Sequence, residues 1–250
     1  HINAFKVSSA LDAVAGMNNV HFAKGFVTDV DETKPELLNE AIELAKSCEV
    51  AVIFAGLPEL FESEGYDRTH MRLPNCQNEL IKKIAAVQPN TIVVLHNGAP
   101  IEMPWVDEVS AILEMYLGGQ AVGEATVDLL FGTVNPSGKL AESFPYHLED
   151  NPSYLSYKVV DNKIHYDEKL FVGYRYFETF RKDAVQFPFG FGLTYTTFET
   201  ASEAEEKDGV ITVRTTVKNV GERHGREVVQ VYCEAPCGLL GKPSRQLVTF

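Results

Sequence analysis

The chain has 250 residues, of which 45% are hydrophobic and 23% charged, a balance typical of globular proteins with one large core or two modest ones. Acidic residues outnumber basic ones 35 to 22, and the formal net charge of -13 would repel nucleic-acid phosphates and anionic lipid. No apolar run reaches the roughly 18 residues of a bilayer span, and the first residues lack the basic-then-apolar pattern of a signal peptide. Nucleic acid and membrane are therefore not expected as partners.

The first half of the chain alternates helical and strand patterns. Apolar residues at helical spacing predict a helix from Pro35 to near Cys48. The continuous apolar run "VAVIFAGL", residues 50–57, follows directly and is typical of a strand covered on both faces of a parallel sheet. A polar loop, the helix "QNELIKKIAAV" and the buried strand "TIVVLHNG" come next.

The alternation continues with a third strand, "VSAILEMY", and a third helix that ends near Gly132. Three such units predict an α/β fold, a parallel-rich sheet sandwiched by helices in an α/β/α arrangement. We expect this domain to occupy residues 1–186, with a connecting segment from about 150. In open sheets of this kind, ligands gather beyond the carboxyl ends of the strands.

The pattern changes after Phe187. Apolar and polar residues alternate in "VITVRTTV", and "NVGERHG" supplies turn residues before a second alternating run. Residues 187–250 are therefore expected to begin an antiparallel β-sandwich. One hairpin and one further strand are too little for a stable sandwich, so we expect the chain to be a piece of a longer protein.

The four cysteines do not predict a metal site. Cys48 and Cys76 fall in predicted helices, where they pack as small apolar residues. Cys233 and Cys237 frame "CEAPC", but no second pair is present to complete a zinc site. Both glycosylation-type triplets have Pro in the middle position, which excludes modification. These observations favour a reducing, unglycosylated compartment, and hence a cytoplasmic location.

The loop after the first strand carries the strongest candidates for chemistry. The stretch "FESEGYDRTHMRLP" contains Glu62, Glu64, Asp67 and Arg68. A glutamate can deliver a proton near neutral pH only if burial or a neighbouring negative charge raises its pKa, and each of these glutamates has the other nearby. Arg68 could pair with Asp67 to brace the loop, or it could hold one glutamate ionised. Solvated loop charges with an internal salt bridge are the alternative that the residues alone leave open.

Five stretches of the chain resemble consecutive landmarks of glycoside hydrolase family 3, in its β-glucosidase branch. They are "GLPELFESEGYDRTHMRLPNCQNELI", "NGAPIEMPW", "LGGQAVGEATVDLLFGTVNPSGKLAESFP", "LFVGYRYFE" and "FPFGFGLTYTTFE". They come in the family's order and cover most of residues 50–199.

The resemblance implies a retaining hydrolase of three parts: a barrel with an aspartate nucleophile, an α/β sandwich whose loop carries the acid/base glutamate, and a fibronectin type III-like β domain. This chain resembles the second part and the beginning of the third. The barrel is expected elsewhere in the parent protein, before or after this chain, as a partner domain. No metal or organic cofactor is implied.

The resemblance places the acid/base residue on the loop from Glu62 to Arg68. Glu64 is favoured because Gly65 lets the backbone turn sharply and aim the side chain into a neighbouring domain. Glu62, nearer the strand end, stays the alternative. The other glutamate is expected to brace the loop, and Asp67 and Arg68 are expected to brace it or to lie on the substrate side.

The expected activity is hydrolysis of terminal, nonreducing β-linked glucosyl residues, with a β-glucoside or oligosaccharide as substrate. A β-xylosidase of the same family and a noncatalytic carbohydrate-binding or scaffolding module are the alternatives. The chain alone is expected to be inactive because the barrel with its nucleophile is missing. The oligomeric state is left open.

Overall fold

The computed structural model describes residues 4–250. Over this range the α-helices are Ala10–Ala13 (α1), Pro35–Ser47 (α2), Asn75–Ala85 (α3), Val122–Leu130 (α4) and Tyr174–Phe180 (α5). The β-strands are Ala51–Gly56 (β1), Thr91–His96 (β2), Ala111–Glu114 (β3), Phe144–Pro145 (β4), Val185–Phe187 (β5), Phe198–Lys207 (β6), Val210–Asn219 (β7), Val231–Cys233 (β8) and Gln246–Thr249 (β9).

The described chain divides into two compact units, within each of which the Cα atoms lie close together. Unit 1 contains the residues up to Val127 together with Tyr146–Leu148, and unit 2 contains Asp128–Pro145 and Glu149–Phe250. The domain boundary near residue 187 that the change of pattern suggests remains a prediction.

The sheet of unit 1 is parallel, in the order β1-β2-β3. Ala51 pairs with Thr91 at the start of β1, and Gly56 pairs with His96 at its end; β3 lies parallel to β2 on the other side. The predicted parallel sheet with alternating helices is confirmed. Because parallel strands end at the same edge, the loops that follow β1, β2 and β3 leave the sheet from one side.

The two apolar runs differ in burial. Val93, Val94 and Leu95 in the central strand β2 are fully buried, so both faces of that strand are covered. In β1, an edge strand, Val52 and Phe54 are 38% and 39% exposed. The prediction that "VAVIFAGL" is covered on both faces is therefore wrong for the described chain, because an edge strand has one side of the sheet less protected.

Helix α3 contacts both β1 and β2, and α2 packs against α3. The buried side chains of α3 include Leu80, Ile81 and Ile84, and burying each of them stabilises the fold by roughly 1.5–3 kcal/mol.

Helix α3 receives its N-terminal cap from a distant loop. Pro74, at the N-cap position, makes no side-chain hydrogen bond to the helix. The Cys76 backbone N–H instead donates to Asp31 Oδ1 at 2.9 Å, and Asn75 Nδ2 donates to Asp31 Oδ2 at 2.8 Å. Burial raises the pKa of the Asp31 carboxyl, but these hydrogen bonds outweigh it and hold the pKa below its ordinary value. The folded state therefore favours the ionised cap.

We expect Asp31→Ala to lower the free energy of unfolding of unit 1 by about 1 kcal/mol at neutral pH, the usual worth of a helix cap. A carboxyl whose pKa falls on folding stabilises the protein above its unfolded-state pKa of about 3.9, and the contribution disappears as pH falls through the folded-state value. The difference in free energy of unfolding between the native protein and Asp31→Ala should therefore become smaller as the pH falls. Urea titrations followed by the fluorescence of Trp105, the single tryptophan of the chain, measure it.

Asp31→Asn is the matched control for this prediction. It keeps an oxygen that can accept from the Cys76 N–H but carries no charge. The free energy of unfolding should therefore fall by less than in Asp31→Ala, and the free energy of unfolding of Asp31→Asn should not gain or lose a contribution from residue 31 as the pH changes. A loss for Asp31→Ala that stays constant down to the acid transition would contradict the assignment.

The cysteines are free thiols. Cys76 is buried in α3, and burial raises the pKa of its thiol to about 11. It is therefore protonated at neutral pH and packs as a small apolar side chain. Cys48 follows the last residue of α2, and Cys233 and Cys237 are exposed.

Unit 2 is organised around α5 and short antiparallel strands. Phe177 is buried, and the Tyr174 ring stacks on Phe189 with ring centroids 4.6 Å apart. The Tyr174 hydroxyl accepts from the Leu247 N–H at 2.8 Å, which joins α5 to β9. These contacts hold the C-terminal strands on the helix.

The hairpin of unit 2 differs from the one expected from the sequence. The turn residues of "NVGERHG" predicted a hairpin after residue 219, but β7 pairs along its whole length with β6, which precedes it. Asp208 and Gly209 form the turn, with φ of 53° and 77°. A two-residue turn with both residues left-handed matches the twist of a hairpin, and Asp-Gly is a preferred sequence for it. The prediction of the hairpin position was wrong.

The physical reason lies in the composition of β6. Its sequence, "FETASEAEEK", is rich in Glu and Ala, which are depleted in strands. It nevertheless forms a strand because the Asp-Gly turn brings it against the β-branched residues of β7. The strand after "NVGERHG", β8, pairs with β9 instead. Antiparallel strands therefore follow the parallel sheet, as predicted, and their likeness to a fibronectin type III domain remains a prediction.

Candidate active-site loop

The candidate loop leaves the carboxyl end of β1 directly after Gly56. The Pro58 carbonyl accepts from the N–H groups of Phe61 and Glu62, at 2.7 and 3.1 Å, and forms a tight first turn. Gly65 has a φ of 77°, a left-handed conformation that glycine adopts without strain. The backbone therefore turns sharply immediately after Glu64.

Glu62 is held in place from two sides. Its Oε2 accepts from the Gly98 N–H at 2.6 Å, and its Oε1 lies 3.7 Å from Arg68 Nη1. The Glu62 and Arg68 side chains are only 22% and 16% exposed. The carboxylate thus ties the loop after β1 to the first residues after β2.

The remaining charged residues of the loop face solvent. Glu64 and Asp67 are exposed. Of the two pairings that the sequence leaves open for Arg68, the structure shows an ion pair with a glutamate. The two candidate glutamates therefore differ in environment, since one is anchored and the other is accessible.

Gly98 leaves room for the Glu62 carboxylate. A Cβ at this position would lie 3.1 Å from Glu62 Oε2 and 3.1 Å from Leu117 Cδ1. These distances are tighter than ordinary van der Waals contacts, so a side chain at residue 98 would push on the carboxylate. The glycine is therefore part of the geometry that holds the loop.

Side-chain hydrogen bonds connect the other strand ends. Asn97 is fully buried, and its Nδ2 donates to the Ala99 carbonyl at 3.0 Å and to Glu114 Oε2 at 3.1 Å. Glu114 Oε1 accepts from the Tyr116 N–H at 2.8 Å. Sequence reasoning did not identify Glu114, although a glutamate that closes the apolar strand "AILE" was a signal for it. The edge beyond the three strands is thus braced across its width.

Burial lowers the pKa of two side chains near the strand ends. Burial lowers the pKa of the Arg68 guanidinium, and the Glu62 carboxylate opposes this shift; the group remains protonated at neutral pH. Burial also lowers the pKa of His96 below its ordinary value, against a hydrogen bond with the Tyr116 backbone. His96 is therefore largely neutral at neutral pH and stacks on Phe54, with ring centroids 6.3 Å apart.

Across residues 4–250, no group of three or more His, Cys, Asp or Glu side chains is arranged to hold a metal ion. None of the helices in this range combines the length and the apolar character that crossing a bilayer requires.

Comparison with known proteins relates this architecture to one family. A family model described as Glycosyl hydrolase family 3 C-terminal domain matches residues 4–195. The chain belongs to glycosyl hydrolase family 3. The predicted resemblance is therefore confirmed, and the described α/β sheet followed by antiparallel strands corresponds to the C-terminal part of family 3 enzymes.

The proteins that this chain resembles are named for more than one sugar. The thermostable beta-glucosidase B of Acetivibrio thermocellus is 49% identical over 237 residues, which cover 93% of this chain and 31% of that protein. The exo-alpha-(1->6)-L-arabinopyranosidase of Bifidobacterium longum is 41% identical over 254 residues, covering 100% of this chain and 33% of that protein. A crystal structure of a Bifidobacterium adolescentis GH3 beta-glucosidase superposes with a TM-score of 0.95 at 40% identity, covering 100% of this chain and 37% of that one.

The chain spans about a third of the length of these relatives. It corresponds to one part of these larger proteins, which is consistent with a separate barrel domain. The roles of Glu62, Glu64, Asp67 and Arg68 remain predictions.

Proposed function

We propose that this chain is the acid/base-bearing part of a retaining, β-glucosidase-like hydrolase that cleaves terminal nonreducing β-linked glucosyl residues. Membership of glycosyl hydrolase family 3 and the similarity to enzymes named β-glucosidases support this proposal. The observation that carries the site is the unequal environment of the two glutamates. Glu62 is held by the Arg68 guanidinium and the Gly98 N–H, whereas Glu64 is exposed.

Glu64 is the proposed acid/base. Its exposure and the sharp turn at Gly65 suit a side chain that must reach a sugar held by another domain. Glu62 is better suited to brace the loop, because Arg68 and the Gly98 N–H already occupy its oxygens. Asp67 is exposed on the same loop and is proposed to lie on the substrate side or to support Arg68.

The proposed mechanism is a double displacement. Glu64 donates its proton to the glycosidic oxygen as that bond breaks, and an aspartate of the barrel attacks the anomeric carbon to form a glycosyl ester. Glu64, now a carboxylate, takes a proton from water, whose oxygen attacks the same carbon and releases the aspartate. The two carboxyl groups of retaining enzymes lie about 5–5.5 Å apart on either side of the bond. Glu62 and Glu64 share one loop, so they cannot flank the glycosidic bond as proton donor and nucleophile.

The relatives supply a second candidate for the sugar. Enzymes named β-glucosidase and α-L-arabinopyranosidase both cover nearly all of this chain at more than 40% identity. Enzymes of both names contain a segment similar to this chain, so this segment does not itself select the sugar. Specificity is therefore proposed to lie mainly in the barrel. Cleavage of β-xylosides or α-L-arabinopyranosides stays an alternative to cleavage of β-glucosides.

We expect this chain, purified alone, to release no measurable aglycone from an aryl β-glucoside, whereas the full-length protein does so readily. The reason is that the described loop offers proton donors but no nucleophile on the opposite face of the sugar. The same assay with aryl β-xyloside and aryl α-L-arabinopyranoside identifies the preferred sugar. Turnover by the isolated chain that is abolished by Glu62→Gln with Glu64→Gln would place the whole active site in this segment.

A cytoplasmic location stays a proposal that rests on the sequence, and the oligomeric state stays open. Fractionation of the source cells tests the location, and light scattering of the full-length protein measures the oligomeric state.

A further inference from the structure

We infer that Glu62 is a positioning residue whose link to Gly98 sets the place of Glu64 at the active site. This inference rests on the proposed function, because it assigns the second glutamate of the same loop. The contacts among Glu62, Arg68 and Gly98 are called the loop latch below.

The latch joins residues that are far apart in the chain. The Gly98 N–H belongs to the segment after β2, 36 positions beyond Glu62, and it donates to Glu62 Oε2 at 2.6 Å. The adjacent strand end is tightly packed, since the central residues of β2 are buried and Asn97 is fully buried and hydrogen bonded. Glu62 therefore anchors the loop after β1 to the end of β2, the central strand of the sheet.

The latch depends on charge as well as on the hydrogen bond. Arg68 is 16% exposed, and its Nη2 is buried without a hydrogen-bond partner in the described chain. The Glu62 carboxylate, 3.7 Å from Nη1, is thus the main compensation for a poorly hydrated guanidinium. Removing one partner of such a pair leaves an uncompensated charge that the loop must rearrange to hydrate.

Movement of Glu62 is transmitted to Glu64 because only one residue separates them. Two residues of extended chain span at most about 7 Å, so the loop cannot absorb a shift at Glu62 before it reaches Glu64. A misplacement of about 1 Å at a catalytic group can lower the rate about a hundredfold. The latch should therefore act on the proton-transfer step.

The test uses the full-length hydrolase and compares kcat/KM for aryl β-glucosides with poor and good leaving groups. A phenyl leaving group needs a proton from the acid, and a dinitrophenyl leaving group needs little assistance. For Glu62→Ala we expect a loss of about tenfold to a hundredfold on the phenyl glucoside and about threefold or less on the dinitrophenyl glucoside. Glu62→Gln keeps an acceptor for the Gly98 N–H and should lose less.

Gly98→Ala probes the latch without changing a titratable group. Its Cβ would press on Glu62 Oε2, and we expect a loss of about threefold to tenfold, again larger for the phenyl glucoside. Glu59→Ala is the matched control, because Glu59 is an exposed glutamate of the same loop. It should change neither rate.

A second measurement does not depend on turnover. In this chain, hydrogen exchange at the Gly98 amide should be faster in Glu62→Ala than in the native protein, because the amide loses its acceptor, and Glu59→Ala should leave it unchanged.

The outcomes separate the latch from the proposed function. Equal losses on both substrates indicate a smaller fraction of folded enzyme and overturn the positioning role, as do unchanged rates. Restoration of Glu62→Ala by azide would make Glu62 itself the acid/base and overturn the inference. Failure of the native enzyme to cleave any β-glucoside refutes the proposed substrate, while the Gly98 exchange measurement still reports on the latch.

Discussion

Glu64→Ala in the full-length hydrolase is expected to lower kcat/KM for an aryl β-glucoside with a poor leaving group by roughly 10²–10⁴-fold, the usual contribution of a positioned proton donor. The exposed Glu64 side chain, at the turn made by Gly65, is the group proposed to protonate the departing oxygen. The loss should be much smaller for a dinitrophenyl glucoside, since that leaving group departs without a proton.

Azide provides the positive signature for Glu64. A small anion can enter the space left by Ala and attack the glycosyl ester without a general base, so azide should raise turnover of Glu64→Ala and yield a glycosyl azide. Glu62→Ala should show no such rescue. A full-length Glu64→Ala enzyme that retains native rates on the phenyl glucoside would exclude Glu64 as the acid/base.

Trp105→Ala is expected to lower the free energy of unfolding of unit 1 by about 3–5 kcal/mol, the range for deleting a large buried aromatic side chain. Trp105 is 2% exposed, and its Nε1 donates to Asn78 Oδ1 on α3 at 2.9 Å. Deletion would open a cavity and leave the Asn78 oxygen without its donor. Urea unfolding of this chain, followed by far-ultraviolet circular dichroism, measures the change. The helical signal reports on unit 1 because that unit contains α2 and α3, the longest helices described.

Two substitutions control for this result. Trp105→Phe retains much of the apolar volume but not the N–H, and should cost about 1–3 kcal/mol. Phe22 is 64% exposed, and Phe22→Ala should change stability by no more than about 0.5 kcal/mol. If Trp105→Ala unfolds at the native urea concentration, Trp105 is not part of the core of unit 1.

The parallel sheet was predictable because its signal is local. Continuous apolar runs between Gly and Pro residues mark strands such as β1 and β2, and helical spacing marks α2 and α3 between them. The order of the strands follows from the tendency of consecutive strands to lie side by side. By contrast, the Asp-Gly turn between β6 and β7 was a local signal that the Glu-rich composition of β6 obscured.

The candidate loop could be located from the sequence, but its internal contacts could not. Two pairings were open to Arg68, and the glutamate with which it pairs is also held by the Gly98 N–H, which lies 36 residues beyond Glu62. The cap that Asp31 provides to α3 is similarly remote in sequence. Such contacts are set by the register of the sheet, and no periodicity within a short stretch encodes them.

The two kinds of strand pairing also imply two very different folding rates. The β6–β7 hairpin closes through two residues, a process that takes about 1–10 μs. Parallel pairing must bring together residues such as Ala51 and Thr91, and the entropy of closing that long segment comes before any contact compensates for it. During refolding the hairpin is thus complete while the sheet is still open, and the exposed Val210 and Ile211 lie on β7, which pairs with no strand other than β6 in the described chain. Edges of this kind pair with other chains, so we expect the refolding yield to fall as the chain concentration rises.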